Sequence, residues 1–206
     1  MHQEVINIKT KRVLEALSNI KEVQNFYLAG GTALALQLGH RKSIDLDWFS
    51  QKKVSLISLK RKLFAFNNFK IESEDDNTLN CQLDGVKVSF FIYPYKLLFP
   101  FIEFKKIELA DERDIICMKI DAISSRGAKK DFIDLYFLLE KYSLEKLLNL
   151  FDKKYQGIQY NRFHILKSLI YFEPADVEPI PEMIKKASWS GIKNKLKEEV
   201  KKIVDS

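Results

Sequence analysis

The spacing of apolar residues changes along this chain, and each change predicts an element. Between about residues 3 and 20, Val5, Val13, Leu14, Leu17 and Ile20 share one helical stripe and predict a leading helix. Phe26-Tyr27-Leu28-Ala29 is a short apolar run that reads as a strand. After Gly30-Gly31-Thr32, the apolar positions Ala33, Leu34, Leu36 and Leu38 predict a helix. The stretch Ser43-Ile44-Asp45-Leu46-Asp47-Trp48-Phe49 then alternates apolar and acidic residues. That period of two predicts a strand with Ile44, Leu46 and Trp48 facing a core. Asp45 and Asp47 would face the other way, with Cα atoms roughly 6–7 Å apart.

Leu56, Leu59, Leu63 and Phe66 predict a helix over residues 55–68, and residues 69–74 read as a strand. Asp84-Gly85 between two alternating runs predicts a hairpin over residues 78–92. Pro94 and Pro100 mark a loop. Asp111 is a plausible N-cap for a helix over residues 112–125, with Gly127 as its stop. Helices are expected over residues 128–142, 143–154 and 161–172, then an extended loop over 173–181. A last helix, residues 189–204, carries Trp189, Ile192, Leu196, Val200 and Ile203 on one stripe and lysines opposite. Strands come first and helices follow. The expected fold is α/β (α+β): a mixed sheet with helices in residues 1–106, then a helical bundle in residues 107–206.

Composition narrows the partners. An apolar share of 46% with 12% aromatics is enough to build a core, so disorder is excluded. The formal charge of +6 suits a nucleotide or RNA partner, and it is spread over both halves, so no basic arm is expected. The polar, charged start predicts no secretory signal, and no run reaches the ~18 apolar residues of a membrane span. A cytoplasmic location is therefore expected. Cys81 and Cys117 read as buried free thiols, and with three histidines they make no metal-binding spacing.

The candidate chemistry lies in residues 26–49. Strand, double glycine and helix start is the arrangement in which bare backbone N–H groups meet a phosphate. Two carboxylates on one strand face repel unless a cation lies between them. Mg²⁺ takes hard oxygen ligands and shares them with phosphates, so it is the expected occupant of Asp45 and Asp47. Cradle and metal pair together point to metal-assisted transfer of a nucleotide from a nucleoside triphosphate. Arg41, between the two, could clamp a triphosphate bidentately, and His40 reads as structural. Lys119 lies among Ile115, Ile116, Ala122 and Ile123, so it either snorkels or points at a phosphate or carboxylate. Asp131 could be a first-turn acid favoured by the helix dipole, and Asp134 could pair with Arg126 or Lys130.

The stretch GGTALALQLGHRKSIDLDWF resembles the nucleotidyltransferase signature of the AbiEii/AbiGii toxin family, the toxin half of type IV toxin–antitoxin systems. The elements GGT, GHR and S-x-D-L-D appear in that family's order and spacing. KIDAISSRGAKKDFIDLYFLLEKY resembles later motifs, so the likeness runs nearly end to end. It implies a polymerase-β-like nucleotidyltransferase fold and an NTP substrate, with Mg²⁺ or Mn²⁺ as cofactor. It also implies an RNA acceptor, such as a tRNA 3′ end, and a cognate antitoxin protein. By the same resemblance, Gly30, Gly31, Thr32, Arg41, Ser43 and Lys119 would bind nucleotide and Asp45 and Asp47 the metal. Asp45, Asp47, Lys119 and Asp131 would be catalytic, Asp131 as base for the acceptor hydroxyl.

One position departs from the pattern. Where relatives carry a third carboxylate in V-K-V-D-F, this chain reads Val86-Lys87-Val88-Ser89-Phe90. A serine brings no charge, which leaves open a catalytically weak member that binds nucleotide or RNA. A third reading is a structural α/β module whose aspartate pair is salt-bridged.

Overall fold

The computed structural model describes residues 1–205. Its strands are β1 (Tyr27–Ala29), β2 (Leu46–Ser50), β3 (Phe69–Glu74), β4 (Thr78–Leu83), β5 (Val86–Ile92), β6 (Ile102–Phe104) and β7 (Ile107–Leu109). Among the described residues these form one seven-stranded sheet in the order β3-β4-β5-β2-β1-β7-β6. β2 runs parallel to β5 and β1 parallel to β7, while the other neighbours are antiparallel. The sheet is therefore mixed, as the order of patterns predicts.

Local chemistry sets the turns. Asp84 and Gly85 have φ of 49° and 80°, the left-handed pair of a two-residue hairpin turn that joins β4 to β5. The β6–β7 hairpin turns through Lys105-Lys106, with Lys105 at φ 56°. No glycine or asparagine announces that turn, and each strand has three residues. Period two cannot be read in so short a run, so the sequence pattern misses this hairpin.

Helices α1 (Ile8–Ser18), α2 (Gly30–Leu38) and α3 (Leu56–Leu63) precede or interrupt the strands. After β7 come α4 (Glu112–Ser125), α5 (Lys129–Leu138), α6 (Leu144–Lys154), α7 (Arg162–Ser168), α8 (Glu173–Asp176) and α9 (Trp189–Val204). Side-chain caps start most of the longer ones. Asn7, Ser55, Asp111, Ser143, Asn161 and Ser188 each accept a backbone N–H of the following turn. α8 occupies part of the expected loop over 173–181. Pro174 lies in its first turn, where a missing N–H costs nothing, and Ala175 is fully buried.

The apolar core is continuous from sheet to helices. Trp48 and Phe90 from the sheet and Phe132 from α5 are all fully buried in it. Ile44 is a correction: it is 55% exposed rather than in the core. β5 pairs with β2 only from Leu46 onward. The preceding residues are held by other partners: Lys42 N–H by the Glu182 carbonyl and Ser43 N–H by the Val5 carbonyl. The alternation read from sequence therefore stops at Leu46. No helix among the described residues is long and apolar enough to cross a membrane.

A buried ion pair pins the 93–100 loop to the helices. Lys154 Nζ donates to Asp114 Oδ1 at 2.8 Å, with both side chains fully buried. It also donates to the Lys96 carbonyl at 3.0 Å, and Asp114 accepts the backbone N–H groups of Leu98 and Phe99. Removing one ion of such a pair leaves the other buried and unpaired. Lys154→Ala is expected to cost about 3–5 kcal/mol of stability, read as a lowered midpoint in urea unfolding.

Candidate active site

α2 begins where β1 ends, and its first turn has no side-chain cap. Gly30 and Gly31 open it toward a cavity of about 810 Å³. Gly30 has φ +67°, and a Cβ there would overlap the Asp47 carboxylate. At Gly31 a Cβ would lie 2.6 Å from Arg41 Nη2. Glycine at both positions therefore leaves room for the Asp47 and Arg41 side chains, and as the first residues of a helix their N–H groups have no intrahelical carbonyl to bond.

Asp45 and Asp47 both line this cavity. Asp47 is in β2, paired with Ala29 on one side and Ser89 on the other. Asp45 lies one residue before the strand. It is placed by its own carbonyl, which accepts a short hydrogen bond from Thr32 Oγ1, and by the neighbouring Ile44 carbonyl, which accepts from Thr10 Oγ1. Thr32 is buried, and with its proton given to the Asp45 carbonyl its Oγ1 accepts from Ser43 Oγ at 2.8 Å. Its hydroxyl faces this loop, and Ser43 itself reaches the cavity wall. Burial pushes the Asp47 carboxyl above the ordinary carboxylate range; Lys119 draws it down and Asp45 pushes it further up.

This pair suits a divalent cation. Among the described residues no group of three or more His, Cys, Asp and Glu is placed to hold a metal. A metal here would take two protein carboxylates and leave its remaining positions to phosphate and water. Mg²⁺ is commonly bound that way. Ser89 lies beside Asp47 with Lys87 and Phe91 on the cavity side, while Val88 and Phe90 are fully buried behind it.

The cations behind the cavity are already paired. Lys119 Nζ contacts Asp131 Oδ1 and Asp134 Oδ2, each at 2.7 Å. Arg41 grips Asp134 bidentately, Nε to Oδ1 at 2.7 Å and Nη2 to Oδ2 at 2.9 Å. Arg126 holds Asp131 through Nε at 2.9 Å. Asp134 thus pairs with Arg41 and Lys119 rather than with Arg126 or Lys130. The helical phase turns Asp131 and Asp134 inward, and Lys130 faces Asp45 at 3.8 Å instead.

Both carboxylates are fully buried, which alone would raise their pKa. The surrounding cations win and hold Asp131 below its ordinary range and Asp134 well below it. Because Asp134 is ionised, His40 must donate its Nε2–H to Oδ1, at 2.8 Å. Burial lowers the His40 pKa, so the ring is neutral, and its Nδ1 has no partner. The structure thus brings Gly30, Gly31, Arg41, Ser43, Asp45, Asp47 and Lys119 to one cavity wall. Thr32 and Asp131 lie behind it, buried. Asp121, Arg126 and Lys130 also line the cavity. Sequence reading gives them no site role, because exposed charges on amphipathic helices carry no distinguishing signal.

The comparisons with known proteins agree with this geometry. Residues 12–204 match the family described as Nucleotidyl transferase AbiEii toxin, Type IV TA system. An uncharacterized protein of Aquifex aeolicus (strain VF5), aq_aa25, is 37% identical over 212 residues, covering 95% of this chain and 96% of that one. Among solved structures, the nucleotidyltransferase toxin MenT4 of Mycobacterium tuberculosis H37Rv superposes with a TM-score of 0.63 at 14% identity, covering 96% of this chain and 84% of that one. A further structure, from H. pylori, gives a TM-score of 0.60 at 16% identity, covering 100% of this chain and 96% of that one. The structural likenesses establish a nucleotidyltransferase fold, and the family match over nearly the whole length establishes kinship. This chain belongs to the AbiEii family of nucleotidyltransferase toxins of type IV toxin–antitoxin systems.

Proposed function

We propose that the protein moves a nucleoside monophosphate from an NTP to a hydroxyl of an RNA acceptor, acting in the cytoplasm as a toxin restrained by a cognate antitoxin. One observation carries this reading: Asp45 and Asp47 share a cavity with the uncapped Gly30-Gly31 helix start. In the reaction the acceptor oxygen bonds to the α-phosphorus and the bond to the β-phosphate oxygen breaks. Pyrophosphate leaves, and the hydroxyl proton passes to water in the open cavity.

The N–H groups of Gly30, Gly31 and Thr32 would bind the terminal phosphates. Arg41, whose guanidinium lies against Gly31, and Lys119 would supply positive charge beneath them. Ser43 would donate a hydroxyl from the same wall. Asp45 and Asp47 would hold Mg²⁺, or Mn²⁺ in its place. When bound, that ion supplies charge neutralisation at the α-phosphate and the leaving group. Asp131 is buried, ionised and occupied by Lys119 and Arg126. A carboxylate so held is a weak proton acceptor, and we assign it the positioning of those two cations. The expected boundary at residue 106 falls inside the β6–β7 hairpin, so the sheet part runs through β7 at Leu109; it would supply the phosphate and metal groups together with Arg41, and the helices that follow would supply Lys119 and Arg126.

Ser89 favours a second reading, a weakly active member that binds nucleotide or RNA with slow turnover. Incubation with each α-labelled NTP, Mg²⁺ and total RNA separates the two. Label in RNA at enzymatic rates supports transfer. A Mg²⁺-dependent thermal shift with an NTP but no label supports binding alone.

Asp47→Asn is expected to lower RNA labelling by about 10²–10³-fold, since a charge acting at the reacting phosphate is lost. Its effect on the metal-free fold has the opposite sign. A carboxyl raised in the folded state is disfavoured once ionised, so it costs stability above its ordinary value of 3.8 and not below it. In EDTA, Asp47→Asn should therefore raise Tm at neutral pH, and the gain should vanish as the pH falls below 3.8. A lowered Tm at neutral pH would contradict the assignment.

Ser89→Asp places a third carboxylate next to Asp47. In EDTA, mutual repulsion should lower stability by about 1–2 kcal/mol, roughly one pKa unit of interaction. In excess Mg²⁺ the same charge should tighten the metal and raise labelling. Thermal melts with and without Mg²⁺ check this, and equal shifts in both would place Ser89 outside the metal site.

A further inference from the structure

A second, smaller cavity opens beside the first. It holds about 250 Å³ between α4, the end of α6, the start of α7 and the 93–100 loop. That is below the ~300–1,000 Å³ of pockets that take a whole drug-sized ligand, and it suits a single ring system. Asp121 lines both cavities, so the two are adjacent at that residue.

The walls are aromatic. Tyr93, on the large cavity, contacts Tyr95 edge-on with centroids 4.5 Å apart. Tyr95 contacts Tyr155 at 5.0 Å, Tyr155 contacts Phe151 at 4.7 Å, and Phe151 contacts Tyr160 at 5.1 Å. Tyr95, Tyr155, Phe151 and Tyr160 all line the small cavity. A chain of rings thus leads from the nucleotide site into it. Polar groups stand at its rim: Ser124, Asn161 and His164. His164 is exposed and Tyr160 is 36% exposed. No lysine or arginine lines this cavity, so it is not built for a phosphate.

We infer that this cavity seats one unpaired base of the acceptor strand, stacked on Tyr95 and Tyr160 with its edge toward Asn161 and His164. Aromatic faces with a few polar edge groups are how proteins hold single-stranded nucleic acid, because every base presents a π-face. The base lies in the small cavity, and the sugar reaches the shared Asp121 rim. The phosphates stay in the large cavity, which holds the basic groups Lys42, Arg126 and Lys130. The inference rests on the RNA acceptor proposed above and adds to it a seat for one of its unpaired bases.

The test uses the full chain, α-labelled NTP, Mg²⁺ and total bacterial RNA over a range of concentrations. Tyr160→Ala and His164→Ala should each raise the apparent KM for RNA about tenfold, the scale of one lost base stack or edge contact. Tyr160→Phe keeps the ring and should restore the wild-type KM. His164 is exposed, so its variant keeps the inference testable if Tyr160→Ala unfolds. The thermal shift on adding NTP with Mg²⁺ reads the nucleotide site separately. Wild-type protein that labels no RNA would overturn the RNA acceptor, and this subsite with it. Wild-type protein that labels RNA, with both alanine variants keeping its KM, would overturn the subsite alone. A KM raised equally by Tyr160→Ala and Tyr160→Phe would also overturn it, because the hydroxyl bond to Asp152 would then be what matters.

Discussion

Asp134 is the charge on which the arrangement depends. It is fully buried, and a lone carboxylate there would be untenable. It is tolerated because Arg41, Lys119 and His40 all point at it. Those three come from the loop after α2 and from α4, and Asp134 itself is in α5. One carboxylate therefore fixes the approach of three separate segments. The loop after α2 is the same loop that leads into Asp45, so the geometry of the proposed metal site would inherit its precision from an ion cluster outside it.

The cluster also sets the electrostatics of the cavity. Arg41, Lys119, Arg126 and Lys130 each lie against a carboxylate of Asp45, Asp131 or Asp134. The cations are preorganised by Asp131 and Asp134 instead of being left to water, and fixed dipoles and charges of this kind need no reorganisation during reaction. The cost is that Arg41 cannot swing freely to a phosphate. In the proposed reaction it would act from where Asp134 holds it, against Gly31, and the glycine amides would make the closer approach.

Much of this was legible in the sequence, and the gaps have physical causes. The strand–Gly-Gly–helix start and the Asp-Gly turn are local signals, set by φ angles that few residues tolerate, and the structure contains both. The long amphipathic helices were legible because their period repeats several times. The three-residue strands β6 and β7 carry no such repetition. Ile44 misled because alternation describes a strand only while a neighbour pairs with it, and pairing begins at Leu46. Two partners of Asp134, Arg41 and His40, are 93 and 94 residues away, a separation at which spacing carries no information. Lys119 could be marked as unusual from its apolar neighbours, but which carboxylates it meets is a property of how α4 and α5 pack.

Continuity of the core decides how the two parts work together. The apolar cluster that contains Trp48 and Phe90 also contains Ile120 of α4 and Phe132 of α5. α4, which carries Lys119 and ends at Arg126, and α5 are thus joined through α2 to the core of the sheet that carries Asp47, not hinged beside it. Interiors packed in this way resist small displacements, because each shift opens a void or a clash. A cleft floored by such a core is largely formed before its ligands arrive, and the freedom that remains is in side chains at the rim. Nucleotide and acceptor would then meet in a frame of fixed spacing, where positioning accounts for much of the rate. The weak point of that frame is chemical: at Ser89 the strand geometry is present and the charge is not.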